Sequence, residues 1–151
     1  ANVMFFNPKA TDEVMWEALK LACTDQFIRE MPQGLESGLG ERGLSVSGGQ
    51  KQRIGLARVF LQNASVVLLD EATNALDYET EKNIYDNLRR LMETGDKIVI
   101  AAAHRLSAVK DFDQIVMMSK GRVVECGRHE TLMNNRSHYY NLLQVQQQKS
   151  N

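Results

Sequence analysis

The chain has 151 residues, enough for one core, and its 43% apolar and 25% charged content is that of an ordinary globular protein. A formal net charge of −1 withholds the basic field that non-specific nucleic-acid binding needs, so no nucleic-acid partner is expected. The longest apolar run, "IVIAAA" at 98–103, is far too short to span a membrane, and no signal-peptide pattern opens the sequence.

Thr11, followed by Asp12 and Glu13, predicts a helix start with a capping hydroxyl and acidic first turn. Val14, Ala18, Leu21 and Ala22 are expected on its buried face. A second short helix, "TDQFIREM", ends at Pro32. Cys23 lies between the two. With Cys126 it makes a pair lacking CxxC spacing, which favours free thiols in a reducing, cytosolic setting. Six glycines within 33–49 predict a loop, after which Ile54, Ala57 and Leu61 fall at helical spacing.

The period then changes. "SVVLLD" at 65–70 is a short β-branched run suited to a buried parallel strand. Asp77 is placed to cap a helix reaching Met92, with Ile84, Leu88 and Leu91 inward and Gly95 as its stop. "KIVIAAA" at 97–103 reads as a second buried strand, followed at once by His104. "DQIVMMSKGRVVECG" reads as a hairpin turning at 119–121. Two short helices close the chain, "HETLMNN" and "SHYYNLLQVQQQ", the glutamine-rich end being expected to fray.

A strand–helix–strand crossover of this length predicts a parallel sheet of the doubly wound type. Ligands of such sheets sit beyond the carboxyl ends of the strands. Asp70-Glu71 ends one strand and His104 follows the other. Successive strand side chains face opposite ways, so the two carboxylates divide the work. One can hold Mg²⁺ while the other orients and deprotonates a water. The plain alternative is a strand ending in a polar turn. His104 can donate to a phosphate oxygen, or can be a structural histidine. His129 and His138 have no ligand-like spacing and are assigned no metal. Ser47-Gly48-Gly49 ahead of a helix suits an anion through close backbone approach and free N–H groups, and equally suits an ordinary helix cap. Asp77 has the same plain reading as a cap. A phosphate-binding GxxxxGK[ST] loop would complete a nucleotide site, but the sequence holds no Gly-Lys dipeptide.

Taken in order, "VSGGQ" (46–50), a basic helix, "VVLLDE" (66–71), "NALD" (74–77) and "AAAHRLSAV" resemble the ATP-binding domain of ABC transporters. They match its signature motif, with Val46 where leucine is usual, then its Walker B segment, D-loop and switch histidine. "MPQGLESGLGERG" and "KGRVVECGRHETLM" further resemble exporter-type members. The resemblance implies an α/β fold: part of a P-loop NTPase-like parallel sheet, with a helical subdomain at 1–62 and core-subdomain remainder at 63–151. It implies ATP and Mg²⁺ as cofactors, with Asp70 on the metal, Glu71 as base or water orienter, and His104 on the γ-phosphate. Ser47, Gly48, Gly49 and Gln50 would meet a nucleotide held by a second, head-to-tail ATP-binding domain, and Asp77 would couple the two sites. A transmembrane domain is the other implied partner, at the cytoplasmic face of the cell membrane. The family's Walker A loop, adenine-stacking aromatic and Q-loop are expected upstream of Ala1, and the chain alone is expected to be inactive, its stripped strands pairing between copies. The competing readings are a soluble ABC-type ATPase of DNA repair or chromosome maintenance, a non-catalytic half-domain acting through a partner, and a truncated remnant.

Overall fold

Four groups of residues, 9–38, 46–62, 64–93 and 97–149, are described by the computed structural model. The chain forms two units, Ala1–Ala102 and Ala103–Asn151. The first unit holds α1 (Asp12–Leu21), α2 (Asp25–Arg29), a 3₁₀ turn at Gly34–Glu36, α3 (Gly48–Gln62), β1 (Val66–Asp70), α4 (Tyr78–Glu93) and β2 (Ile98–Ala102). The second holds α5 (Leu106–Val109), β3 (Ile115–Ser119), β4 (Arg122–Gly127), α6 (His129–Asn135) and α7 (His138–Lys149).

Helix α1 buries Met15, Ala18, Leu19 and Ala22 and packs against α3. The expected face is therefore corrected at two positions: Val14 is 50% exposed and Leu21 is only half-buried. Met15 and Leu19 complete an i, i+3, i+4, i+7 stripe with the two alanines, and rotation toward these longer side chains covers more apolar surface. Thr11 stands at the cap position, but its side chain does not cap the helix. Backbone hydrogen bonding, followed by the Thr11 hydroxyl, instead holds the Glu13 carboxyl below its ordinary value.

The carbonyls at the end of α1 have no helical partners and must be satisfied elsewhere. Asn87 of α4 donates from Nδ2 to the Leu21 carbonyl at 2.8 Å, and Arg53 of α3 donates from Nη1 to the Cys23 carbonyl at 2.8 Å. Cys23 itself turns the chain at φ +53°. Along α3, Ile54, Ala57 and Leu61 are buried as their spacing predicts, joined by Leu56 and Phe60.

Strands β1 and β2 pair in parallel, Val66 opposite Ile98 through Asp70 opposite Ala102. The expectation that both strands are wholly buried is not met among the described residues. Val67 and Leu69 are covered, whereas Leu68 is 71% exposed and Ile98 60%. Helices α3 and α4 bring Phe60 and Leu88 to one face, beside Val67 and Val99. Apolar residues on both faces are the pattern of a parallel strand covered on both sides. Here one side has its cover.

Helix α4 runs as predicted, with Ile84 and Leu88 fully buried and Leu91 half-buried. Its expected stop at Gly95, and the glycine-rich loop at 39–45, lie outside the described residues.

In the second unit β3 and β4 form the expected antiparallel hairpin. Lys120 (φ +49°) and Gly121 (φ +73°) make its two-residue turn, the left-handed pair that matches strand twist. Leu106, Ile115, Leu132, Tyr139 and Leu143 form the core. Helix α7 is continuous through Lys149, the glutamine-rich stretch included. One of those glutamines, Gln146, is anchored by hydrogen bonds at both ends of its amide.

Candidate functional site

Asp70 ends β1 on the exposed face it shares with Val66 and Leu68. The next N–H, of Glu71, still donates to the Ala102 carbonyl of β2 at 3.2 Å. There the chain leaves the sheet abruptly. Glu71 has φ +48°, a left-handed conformation that costs a non-glycine residue roughly 1 kcal/mol or more. The turn that follows repays the strain with local bonds. Asn74 Nδ2 donates to the Glu71 carboxylate at 2.7 Å, and Leu76 N–H donates to the Thr73 carbonyl at 3.0 Å. Beneath them the Thr73 hydroxyl donates to the buried Glu81 carboxylate at 2.7 Å.

Asp77 closes the turn and starts α4. Its Oδ1 accepts the Thr80 N–H at 2.9 Å, a true N-cap bond. The Thr80 backbone N–H first, and its side chain second, hold the Asp77 carboxyl below its ordinary value.

Ser47 caps α3, which begins at Gly48, so both glycines lie within the helix's first turn and not ahead of it. The Ser47 hydroxyl accepts the Gln50 N–H at 3.2 Å, while Gln50 Oε1 accepts the Ser47 N–H at 2.7 Å. This reciprocal pair is a capping box. It leaves the serine proton and the Gln50 amide N–H groups as donors toward an incoming oxygen. The first turn of α3 also lies on the turn after β1. A Cβ on Gly49 would sit 3.0 Å from the Ala75 carbonyl oxygen and 3.4 Å from Leu76 Cδ2, whereas one on Gly48 would come only within 4.0 Å of Ala75 Cβ. Gln52 Oε1 accepts the Ala75 N–H at 3.0 Å.

The first unit thus brings Ser47, Gly48, Gly49 and Gln50 to the same turn that carries Glu71 and Asp77. His104 belongs to the second unit, exposed just past β2. Gln146 Nε2 donates to the His104 carbonyl, and Gln146 Oε1 accepts the Leu106 N–H at 2.9 Å. His129 Nδ1 pairs with the Tyr139 hydroxyl at 2.7 Å. Among the described residues no group of three His, Cys, Asp or Glu side chains could enclose a metal. The Asp70 carboxylate at the strand tip nevertheless fits Mg²⁺, which is commonly bound by one or two carboxylates, several waters and substrate phosphates. Asp70 is the residue that would hold it.

Gln52 and Gln146 were not singled out by the sequence. Each is an amide whose partner is a loop group far along the chain, which no residue spacing reports.

The first unit is thus an α/β arrangement in which a parallel strand ends in an acidic turn and a capped helix lies on that turn. The ABC transporter family model matches residues 7–74. ABC transporter B family member 4 of Dictyostelium discoideum is 46% identical over 145 residues, 96% of this chain and 19% of that protein. YgaD of Bacillus subtilis, named as a candidate multidrug export ATP-binding/permease protein, is 44% identical over 96% of this chain and 25% of its own length. A solved structure of a bacterial Atm1-family ABC exporter with ATP bound superposes with a TM-score of 0.83 at 36% identity, over 96% of this chain and 25% of that one. The chain belongs to the ABC transporter family, and its fold is that of part of an exporter's nucleotide-binding domain. It spans between about a fifth and a quarter of the length of these relatives.

Proposed function

We propose that this chain supplies one wall of a composite ATP site in an ABC exporter, at the cytoplasmic face of the membrane. The observation that carries the reading is the packing of the α3 first turn against the turn bearing Glu71 and Asp77, in a chain whose relatives include export ATP-binding/permease proteins. Residues 1–62 serve as the helical subdomain with its signature helix, and 63–151 as the remainder of the ATPase core.

Ser47, Gly48, Gly49 and Gln50 meet the phosphates of an ATP held by a second, head-to-tail ATP-binding domain. Glu71 orients the attacking water and takes its proton, its carboxylate held by the Asn74 amide. Asp70 holds Mg²⁺, which neutralises charge on the phosphate oxygens. His104 contacts the γ-phosphate, its loop fixed by Gln146 on both sides. Asp77 couples the paired sites. Phosphoryl transfer depends mainly on position and charge, so dividing the donors between two domains makes hydrolysis conditional on their closure. A transmembrane domain is the partner that uses this closure. No helix among the described residues is long and apolar enough to cross a membrane.

In the full-length protein Glu71→Gln should slow ATP turnover by about a hundredfold or more, the range of a positioned general base, while nucleotide binding persists. Near-normal turnover in that variant would remove Glu71 from this role.

A further inference from the structure

We propose that Gln52 is a positioning residue for ATP hydrolysis, tying the first turn of α3 to the turn that holds Glu71. The inference rests on the assignment of Glu71 as the water-orienting carboxylate.

The geometry is a short chain of contacts within one unit. Gln52 Oε1 accepts the Ala75 N–H at 3.0 Å. The neighbouring residue, Asn74, donates its amide to the Glu71 carboxylate at 2.7 Å. One residue on, Leu76 meets the α3 glycine face: a Cβ on Gly49 would come within 3.4 Å of its Cδ2 and within 3.0 Å of the Ala75 carbonyl. Ala75 is thus bound at its N–H by Gln52, while its carbonyl oxygen lies so near α3 that a Cβ on Gly49 would crowd it. Glu71 stands in a left-handed conformation and depends on this turn to stay there.

Gln50 and Gln52 therefore have different jobs despite their proximity. Gln50 spends its side-chain oxygen on the Ser47 N–H and so completes the helix cap. Gln52 reaches sideways and leaves the cap untouched. A displacement of the α3 N-terminus, such as a phosphate pressing on Ser47 and Gly48 would cause, is carried through Ala75 and Asn74 to the Glu71 carboxylate of the same chain. Since the phosphate on Ser47 and the water on Glu71 belong to different nucleotides in the proposed dimer, Gln52 relays occupancy of one site to the chemistry of the other.

The bond needs only an acceptor on residue 52, and this makes the test selective. In the full-length transporter Gln52→Met keeps the length of the side chain and removes the acceptor. Gln52→Glu keeps the acceptor. Gln52→Met should lower kcat for ATP about fivefold to tenfold, the kinetic equivalent of one lost hydrogen bond, with KM for ATP within about twofold and an unchanged Tm. Gln52→Glu should recover most of that loss. Added to Glu71→Gln, Gln52→Met should cause little further decrease in the residual rate, because it acts through Glu71.

Wild-type kcat in Gln52→Met, equal impairment in Gln52→Glu, or an undiminished further loss on the Glu71→Gln background would overturn the proposal. The Glu71→Gln single variant separates the two levels. If it hydrolyses normally, the assignment of Glu71 fails and this inference with it. If it is inactive while Gln52→Met is normal, only the role of Gln52 fails.

Discussion

Asp77 is a helix cap in the structure and, in the proposed function, a coupling residue as well. Its carboxylate accepts the Thr80 N–H and is held below its ordinary value of 3.8 mainly by that bond. A carboxyl lowered by folding contributes stability that is complete above its unfolded value and is lost as pH falls through the folded one. The contribution of the cap should therefore be constant from neutral pH down to the ordinary carboxylate range and fade only below it. Asp77→Asn preserves a capping oxygen without a titrating charge. Its Tm should run parallel to wild type at neutral pH and converge on or overtake it under acid, whereas Asp77→Ala should lie below wild type at neutral pH. A constant offset between wild type and Asp77→Asn across the acid limb would show that the charge has no part in the cap.

Candidate residues were legible where type and spacing report them. Asp70-Glu71, Asp77 and His104 stand out because a carboxylate pair at a strand tip, a cap before a periodic helix and a histidine after a strand are local patterns. Ser47 admitted two readings, phosphate donor and helix cap, and the structure supplies the cap in full through Gln50. That does not displace the other role, since a capping box leaves the serine proton as a donor. Gln52 and Gln146 were illegible for a physical reason. Their partners lie 23 and 42 residues away in sequence, and a glutamine on a helix surface looks the same whether it meets water or a loop.

Among the elements, the parallel strand pair, the hairpin and the helix after Asp77 follow directly from periodicity. The face of α1 differs from the expected one at two positions, Met15 and Leu19 being buried rather than Val14 and Leu21, because contact with α3 decides which stripe is covered. The strands present the larger discrepancy. Val66, Leu68, Ile98 and Ile100 make one apolar sheet face, and all four are more than half exposed. Full burial of such side chains is worth roughly 1.5–3 kcal/mol each, so the uncovered face is a strong drive to association. Both outer edges of this strand pair also lack a strand partner among the described residues. Open strand edges recruit other strands. The isolated 151-residue chain should accordingly self-associate as its concentration rises, and Leu68→Lys should shift it toward monomer at unchanged helix content. Light scattering of both chains decides the matter: a wild-type chain that stays monomeric at high concentration would rule out a sticky sheet face.

At the scale of the whole molecule, both the order of the motifs and the lack of a GxxxxGK[ST] loop among these residues were legible in the sequence. Signature, strand, acidic turn and D-loop occur in the sequence order of the family, and the structure gathers the first-unit members around a single turn. In the proposed function, what they gather is only part of a nucleotide site. The sequence has no GxxxxGK[ST] loop to surround the phosphates. Such a loop contributes several charge-assisted bonds at about 1.5–3 kcal/mol each. Three of them amount to roughly 5 kcal/mol, more than a thousandfold in affinity at about 1.4 kcal/mol per tenfold. Calorimetric titration of the purified 151-residue chain with Mg²⁺ and ATP puts this division of labour to the most direct test. The composite-site account predicts no heat attributable to micromolar binding and no phosphate release. A saturable micromolar isotherm accompanied by turnover would contradict it.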